Sequence, residues 1–171
     1  MGGEIASGLF ALGGAAIGGL ASWVAAATEL RGSSGEAKRQ RRDAMSDTRR
    51  LLYTDLIKRA DLLADGIRDL YSYSDPAEVP ATNRKRYLAA WEDYVQASAA
   101  VEVVGPSDMA MAARQLYRAL ADMSNQIDSW LRDRARWTEE DDATFVAHQE
   151  RKTSERASFL KSAQLALDAA K

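Results

Sequence analysis

The side chains most often used for catalysis or metal binding are scarce in this sequence. His148 is the only histidine, and there is no cysteine. No pair of imidazoles can form a His-x-x-His site or a di-iron set, and thiol catalysis, thiolate metal sites and disulfides are excluded. We interpret His148 as a surface or edge histidine. The sequence predicts no catalytic residue, no cofactor and no metal site, and we expect a protein that is not an enzyme. An enzyme that uses only carboxylates, Arg and Tyr remains an alternative, and it would require a cleft.

An acidic run and two glycine pairs are better explained by structure than by ligand binding. The acids of residues 139–142 fall in the expected first turn of a helix, where the helix dipole favours negative charge. Gly13-Gly14 and Gly18-Gly19 are followed by no Lys-Ser/Thr and preceded by no strand, so they do not form a phosphate-binding loop. We interpret the scattered tyrosines as the rim of a helical bundle: Tyr53, Tyr71, Tyr73, Tyr94 and Tyr117.

A cluster of basic residues could bind a charged partner. It comprises Lys38, Arg39, Arg41 and Arg42. Its position beside an apolar segment favours contact with anionic lipid headgroups. A solvated stalk whose charge only sets membrane topology is the other open interpretation. Nucleic acid is disfavoured, because stacking aromatics are missing nearby and the net charge of the chain is -2.

The uncharged stretch from Ile5 to Thr28 is the element that would place this cluster at a membrane. As a helix it would be about 36 Å long, enough to cross a hydrocarbon core of about 30 Å. Its large apolar side chains favour insertion by only roughly 2 to 3.5 kcal/mol in total, and the rest is mostly Ala and Gly. We predict a marginal transmembrane helix. A cleaved signal peptide ending near Ala27 and a soluble or conditionally inserted helix remain alternatives.

Small residues share one face of this predicted span. Five of them are predicted helix-packing positions: Ser7, Ala11, Gly14, Gly18 and Ser22. Gly14 and Gly18 form a Gly-x-x-x-Gly pair, which lets two helices approach closely in lipid. The pattern favours self-association, although Gly and Ala are also common in membrane spans for compositional reasons.

The distribution of charge around the span predicts its orientation. Arg31 and the basic cluster follow within about 20 residues, whereas only Glu4 precedes it, so the positive-inside rule puts the N-terminus outside and the remainder in the cytoplasm. We expect three regions: an apolar transmembrane segment at 1–31, a Gly/Ser linker at 32–37, and a helical domain with a basic stalk at 38–171.

Four amphipathic helices are expected after the linker, and no segment shows strand alternation. The first carries Met45, Leu52, Leu56, Ala60, Leu63, Ile67 and Leu70, and ends near Tyr73. The second, capped by Thr82 or Asn83, carries Tyr87 or Leu88, Trp91, Val95, Ala99 and Val101, and ends at Gly105-Pro106. The third, capped by Ser107, carries Met109, Ala113, Leu116, Leu120, Met123, Ile127 and Trp130.

The fourth helix should open with a capping box of Thr138 and Asp141. Its stripe is Phe145, His148 or Gln149, Lys152, Arg156, Phe159, Ala163 and Leu167. We expect its second half to dock and its first half, Glu150 to Arg156, to project into solvent. Short connections make successive helices antiparallel, so the fold class is all-α, with a transmembrane helix followed by an antiparallel four-helix-bundle-like domain.

The chain resembles a large group of short actinobacterial single-span helical-bundle proteins of unknown function. The resemblance lies in an Arg-Arg-x-x-Tyr-x-x-apolar pattern, a Gly-Pro turn and an aromatic-Leu pair: Arg49, Arg50, Tyr53 and Leu56; Gly105 and Pro106; Phe159 and Leu160. Because that group has no established activity, the resemblance implies the architecture and no functional residue.

The expected function is therefore non-enzymatic. We expect a membrane-anchored helical protein that contacts membrane lipid and acts through a protein partner or through assembly as a homo-oligomer. The alternative is a membrane-active effector, pore-forming or phage-related, whose N-terminal helix inserts conditionally.

Overall fold

The computed structural model describes residues 35–169, and the side chains of residues 38–169. The predicted span, with its packing positions Ser7, Ala11, Gly14, Gly18 and Ser22, lies outside these residues. The chain divides into two compact units, residues 1–48 and 49–171. The boundaries expected at residues 31 and 37 stay predictions.

All regular structure within residues 35–169 is helical, as the sequence predicted. Four α-helices occur, with two short 3-10 turns between them. They are α1 (Gly35–Tyr71), α2 (Ala81–Val104), α3 (Ser107–Arg132) and α4 (Glu139–Asp168). The second unit contains α1 from Arg49 onward together with the three other helices.

The connection between α2 and α3 depends on a close backbone approach. The backbone N–H of Gly105 donates to the carbonyl of Val101 at 2.8 Å. A Cβ at Gly105 would lie 2.6 Å from that carbonyl oxygen and 3.2 Å from the Cβ of Met109. Glycine is required here because a Cβ would collide with the last turn of α2 and crowd Met109 at the start of α3. The Gly-Pro break predicted from the sequence is thus confirmed.

Only one of the three predicted N-caps is confirmed by the structure. Thr138 and Asp141 form the predicted capping box, with reciprocal bonds of 2.8 and 3.3 Å. The predicted caps at Ser107 and at Thr82 or Asn83 are wrong, because Pro106 and Pro80 occupy the capping positions without a side-chain bond. A proline there already fixes φ near the helical value, so the helix begins one residue after it.

In each pair of successive helices, positions later in one helix contact positions earlier in the next. The pairs include Arg59 with Asp93, Glu102 with Arg114, Tyr87 with Asp128, and Asp122 with Arg151. Contacts between α4 and α1 close the ring, from Tyr53 against Phe159 to Tyr71 against Phe145. The second unit is therefore an antiparallel up-down-up-down bundle.

The core lies along the bundle axis and is best defined on α3. Every residue of the predicted α3 stripe is buried: Met109, Ala113, Leu116, Leu120, Met123, Ile127 and Trp130. On α1 the stripe from Leu56 to Leu70 is also confirmed, with Tyr53 and Ala64 added to it. Met45 and Leu52 are half-buried.

The predicted face of α2 is only partly right. Tyr87 and Val101 are buried as expected, but the other buried positions are Tyr94, Ala97 and Ser98. The two tyrosine rings decide the rotation of the helix, because an aromatic ring buries more surface than Val or Ala. Consequently Leu88 is exposed, and Val95 and Ala99 are only half-buried.

We expect the fragment 38–171 to fold alone. Within it, Leu120 and Leu165 are a matched pair of positions for testing the assigned core. Leu120 is fully buried, whereas Leu165 is 63% exposed. Leu120→Ala should lower the free energy of unfolding by about 2–5 kcal/mol, because it leaves a cavity. Leu165→Ala should change it by less than about 0.5 kcal/mol.

Circular dichroism with urea unfolding measures both values. A fragment with little helix, or one that melts without cooperativity, would show that the bundle needs the N-terminal residues. Equal effects of the two substitutions would contradict the assigned core.

Candidate functional site

The basic cluster lies in the first unit, on the N-terminal part of α1. Lys38, Arg39 and Arg42 are exposed and Arg41 is half-buried. Lys38 and Arg42 are four residues apart and therefore lie on the same side of α1. Arg39 and Arg41 flank them on opposite sides. Such an arrangement presents long cationic side chains over nearly half of the helix surface. Contact with anionic lipid stays a prediction for these four residues.

The outward side of α2 carries apolar residues that the bundle does not cover. Leu88 is 57% exposed and Val103 is 68% exposed. Val95 and Ala99 lie between them at helical spacing and are half-buried. We call these four residues the α2 outer stripe. This surface was not predicted from the sequence, because helical periodicity assigned Val95 and Ala99 to the core.

A charged cluster joins the middle of α1 to α4. Arg156 donates two hydrogen bonds to the carboxylate of Asp61, both at 2.8 Å, and Lys152 Nζ lies 3.5 Å from the same carboxylate. The prediction that residues 150–156 project into solvent is therefore wrong for Lys152 and Arg156. Their long aliphatic stems lie along the core while their charges reach a partner at its edge.

This cluster perturbs the titration of its carboxylate. The Arg156 hydrogen bonds, followed by the charges of Arg156 and Lys152, hold the pKa of Asp61 below its ordinary value, although burial acts against them. The same bonds raise the pKa of Arg156. The carboxylate is thus ionised for structural reasons and is not poised as an acid or a base.

The acidic run at the start of α4 is also used structurally. Asp141 forms the capping box, and one oxygen of Asp142 accepts from the Tyr71 hydroxyl and, at 2.6 Å, from the indole N–H of Trp137. Tyr71 stacks on Phe145 with ring centroids 4.1 Å apart. These contacts support the helix-terminus interpretation of the run. They also tie the loop before α4 to the end of α1.

The titration of this group agrees with its geometry. Hydrogen bonds from Tyr71 and then Trp137 lower the pKa of Asp142. Burial and the Asp142 carboxylate raise the pKa of Tyr71 to about 12. Both groups keep one protonation state throughout the physiological range.

The tyrosines are more deeply placed than the sequence suggested. Tyr53 and Tyr94 are buried, so their assignment to the bundle rim is wrong, whereas Tyr71, Tyr73 and Tyr117 are partly buried against the core. Burial raises the pKa of Tyr94 strongly, and its ring stacks with Tyr117 at 6.3 Å. Tyr53 and Tyr94 belong to the core because their flat rings fill the space between neighbouring helices.

Several grooves lie between the helices of the second unit. A polar one of about 330 Å³ between α3 and α4 is lined by half-buried His148, Trp137, Gln126 and Asp122. An apolar one of about 340 Å³ between α1 and α4 is lined by Tyr53, Ile57, Leu160 and Leu167, with Arg50 at its rim. Both volumes are at the small end of ligand sites, which span roughly 300–1,000 Å³.

Two further properties hold for the part of the chain that the structure describes. No group of three or more His, Asp or Glu side chains is arranged to hold a metal ion. No helix among residues 35–169 is long and apolar enough to cross a membrane.

Comparisons with protein families, with curated proteins and with solved structures found no match. The helices of the described residues define the class of this protein as an all-α helical bundle.

Asp61→Asn tests the contribution of the charged cluster. Because the pKa of Asp61 is lower in the folded state than in the unfolded chain, its stabilisation is present above the unfolded value and is lost as the pH falls through the folded pKa. We expect the substitution to lower the free energy of unfolding at pH 7 by about 1 kcal/mol, since water partly screens the pair. It should also flatten the loss of stability between about pH 5 and pH 3.

Asp65→Asn is the matched control. Asp65 lies on the same helix and pairs with Arg68, but both side chains are mostly exposed. It should change stability by less than about 0.5 kcal/mol. Urea titrations at several pH values measure both variants, and an equal effect would mean that the Asp61 cluster is only a surface pair.

Proposed function

We propose that this chain is a non-enzymatic, membrane-anchored helical protein that acts through protein-protein interaction or self-assembly at the membrane. In this proposal residues 1–31 form a single transmembrane segment with its N-terminus outside, and the bundle is cytoplasmic. The observation that carries the interaction function is the α2 outer stripe. It leaves the apolar side chains of Leu88 and Val103 on the surface, 57% and 68% exposed, outside the core of the bundle. Exposed apolar patches bordered by polar residues are typical of protein-protein contact sites.

The basic cluster supports a location at the membrane. Three of its four side chains are exposed. A cation close to an anionic lipid surface gains about 1 kcal/mol, so the three exposed side chains contribute about 3 kcal/mol in addition to the marginal insertion of the apolar segment. Asp43 follows the cluster directly and reduces this attraction.

The polar clusters at Asp61 and Asp142 support a binding role over catalysis. Their carboxylates accept hydrogen bonds from other elements, whereas the carboxylate of Asp141 caps the start of its own helix. A carboxylate that acts as a general acid or base needs a pKa near the working pH. Here the pKa values of Asp61 and Asp142 are moved further from it.

A membrane-active effector is the second candidate. The composition of the segment from Ile5 to Thr28 favours it, because so many Gly and Ala residues make insertion weak enough to be conditional. This candidate requires a soluble form that leaks vesicles, whereas a constitutive anchor requires detergent for extraction.

The proposed topology can be tested with single cysteines, since the chain has none of its own. Gly3→Cys precedes the apolar stretch and should react with an impermeant thiol reagent in intact cells. Ser154→Cys lies on an exposed position of α4 and should react only after permeabilisation. Gel-shift labelling of both variants, with the cysteine-free parent as the blank, gives the answer. Reaction at position 154 in intact cells would contradict a cytoplasmic bundle.

Association of the span can be tested with Gly18→Ile. The larger side chain should strengthen insertion but block the close approach of two backbones, so the variant should stay in the membrane and associate less. Leu20→Ile is the control, because it keeps both size and hydrophobicity. An in-membrane association assay compares them. If both variants associate like the parent, the Gly-x-x-x-Gly pair is compositional and assembly must occur through the bundle.

A further inference from the structure

The apolar groove between α1 and α4 is too narrow to hold a protein helix. We call it the α1–α4 groove, and its apolar residues are Tyr53, Ile57, Leu160, Ala163 and Leu167. Its lining runs over residues 50–57 and 160–167, so it is about 10 Å long. With a volume of about 340 Å³ it is therefore about 6 Å wide, whereas a helix with its side chains is about 10–12 Å across. A single hydrocarbon chain is thin enough to lie in it.

An ion pair crosses the groove at one end. Asp61 lies one helical turn beyond Ile57 on α1, and Arg156 lies one turn beyond Leu160 on α4. Two hydrogen bonds of 2.8 Å join Arg156 to the carboxylate of Asp61. A hydrocarbon chain in the groove cannot continue past this pair, because the apolar walls end there. Its terminal carbons would lie between Ile57 and Leu160, and its other end would lie at the opposite end of the groove.

The opposite end of the groove carries a cation that no acid neutralises within the described residues. Arg50 is the first lining residue on α1, its side chain is exposed, and it forms no ion pair in residues 38–169. The neighbouring acids Asp47 and Asp168 do not line the groove. The polar groove between α3 and α4 is different, since Asp122 and Asp141 line it. A guanidinium group binds a carboxylate through two parallel hydrogen bonds, so the position of Arg50 favours an anionic carboxylate at this end.

We propose that the α1–α4 groove binds a fatty acid, with the hydrocarbon chain between the apolar walls and the carboxylate at Arg50. Binding removes the apolar surface of the chain from water, together with that of Leu160, which is 42% exposed in the free protein. The inference goes beyond the proposed function. It assigns a small ligand to the bundle and depends neither on the membrane anchor nor on the α2 outer stripe.

Photolabelling of the full-length chain in its membranes tests the site. The probe is dodecanoic acid with a diazirine near the end of the chain and an alkyne for detection. Trypsin cleaves after Arg50, Lys58, Arg156 and Lys161, so the two groove walls appear in the separate peptides 51–58 and 157–161. We expect adducts in these two peptides, because they contain Ile57 and Leu160.

The peptide 87–114 is the internal control for adventitious labelling. It contains Leu88 and Val103, which are exposed apolar residues but do not line the groove. It should carry severalfold fewer adducts than the groove peptides. An excess of unlabelled dodecanoic acid should remove the groove adducts, whereas its methyl ester should compete poorly because it has no charge for Arg50 to bind.

Arg50→Gln tests the recognition of the carboxylate. We expect it to raise the probe concentration needed for half-maximal labelling by about three- to tenfold, because a charged hydrogen bond is lost. Arg86→Gln is the matched control, since Arg86 is also exposed and lies beside the exposed Leu88 on α2. It should label like the parent. Thr54→Trp places a large side chain on the exposed wall of the groove and should abolish labelling, with helical content by circular dichroism as the check on folding.

Each of the other results would overturn the inference. Equal labelling of the groove peptides and of 87–114 would mean that the probe only adheres to exposed apolar surface. Adducts in 162–171 in place of 157–161 would reverse the chain and remove the carboxylate from Arg50. Equal behaviour of Arg50→Gln and Arg86→Gln would show that Arg50 does not recognise the ligand. These results are independent of the membrane anchor, which the cysteine labelling tests separately.

Discussion

The bundle depends most on the contact between its first and last helices. Successive helices are joined by short turns and meet at little entropic cost, but α1 and α4 are far apart in the sequence: the bond between Asp61 and Arg156 spans 95 residues. Closing such a loop costs more conformational entropy than closing a tight turn. Three kinds of contact offset this cost along the interface: Tyr53 against Phe159, the Asp61 cluster, and the stacked pair of Tyr71 and Phe145.

The three contacts differ in what they contribute to the interface between α1 and α4. Aromatic pairs lie at both ends of the α1–α4 interface, and the ion cluster lies between them. Apolar contact supplies most of the free energy but little directionality. The bidentate bond between Arg156 and Asp61 has a defined geometry and therefore fixes the register of the two helices. Lys152, on the preceding turn of α4, points to the same carboxylate.

The sequence predicted the helices well where one apolar stripe dominates. On α3 the predicted and buried positions coincide from Met109 to Trp130. On α4 Lys152 and Arg156 lie on the predicted stripe, but the expectation that this part of the helix projects into solvent was wrong, because their partner Asp61 is distant in sequence and was not foreseen. Spacing within one helix gives its inward face and does not reveal which charge on another helix will meet it.

On α2 the same reasoning failed for a different reason. Apolar residues occur on two sides of this helix, so periodicity alone allowed more than one rotation. The choice was made by Tyr87 and Tyr94, whose rings fill the core. Of these two, Tyr87 was predicted on the inward face, whereas Tyr94 was wrongly assigned to the rim. The candidate interaction surface could be recognised only after this rotation was known.

The long separation between α1 and α4 also affects the protein during its synthesis. About 100 residues follow the end of α1 before α4 is complete, which takes roughly 5–20 s of translation. Until then the side of α1 that carries Tyr53 and Asp61 has no α4 to cover it, although α2 and α3 have already emerged. The nascent chain therefore passes through a three-helix stage in which this side of α1 is uncovered, and transiently exposed apolar surface of this kind makes a chain prone to aggregation.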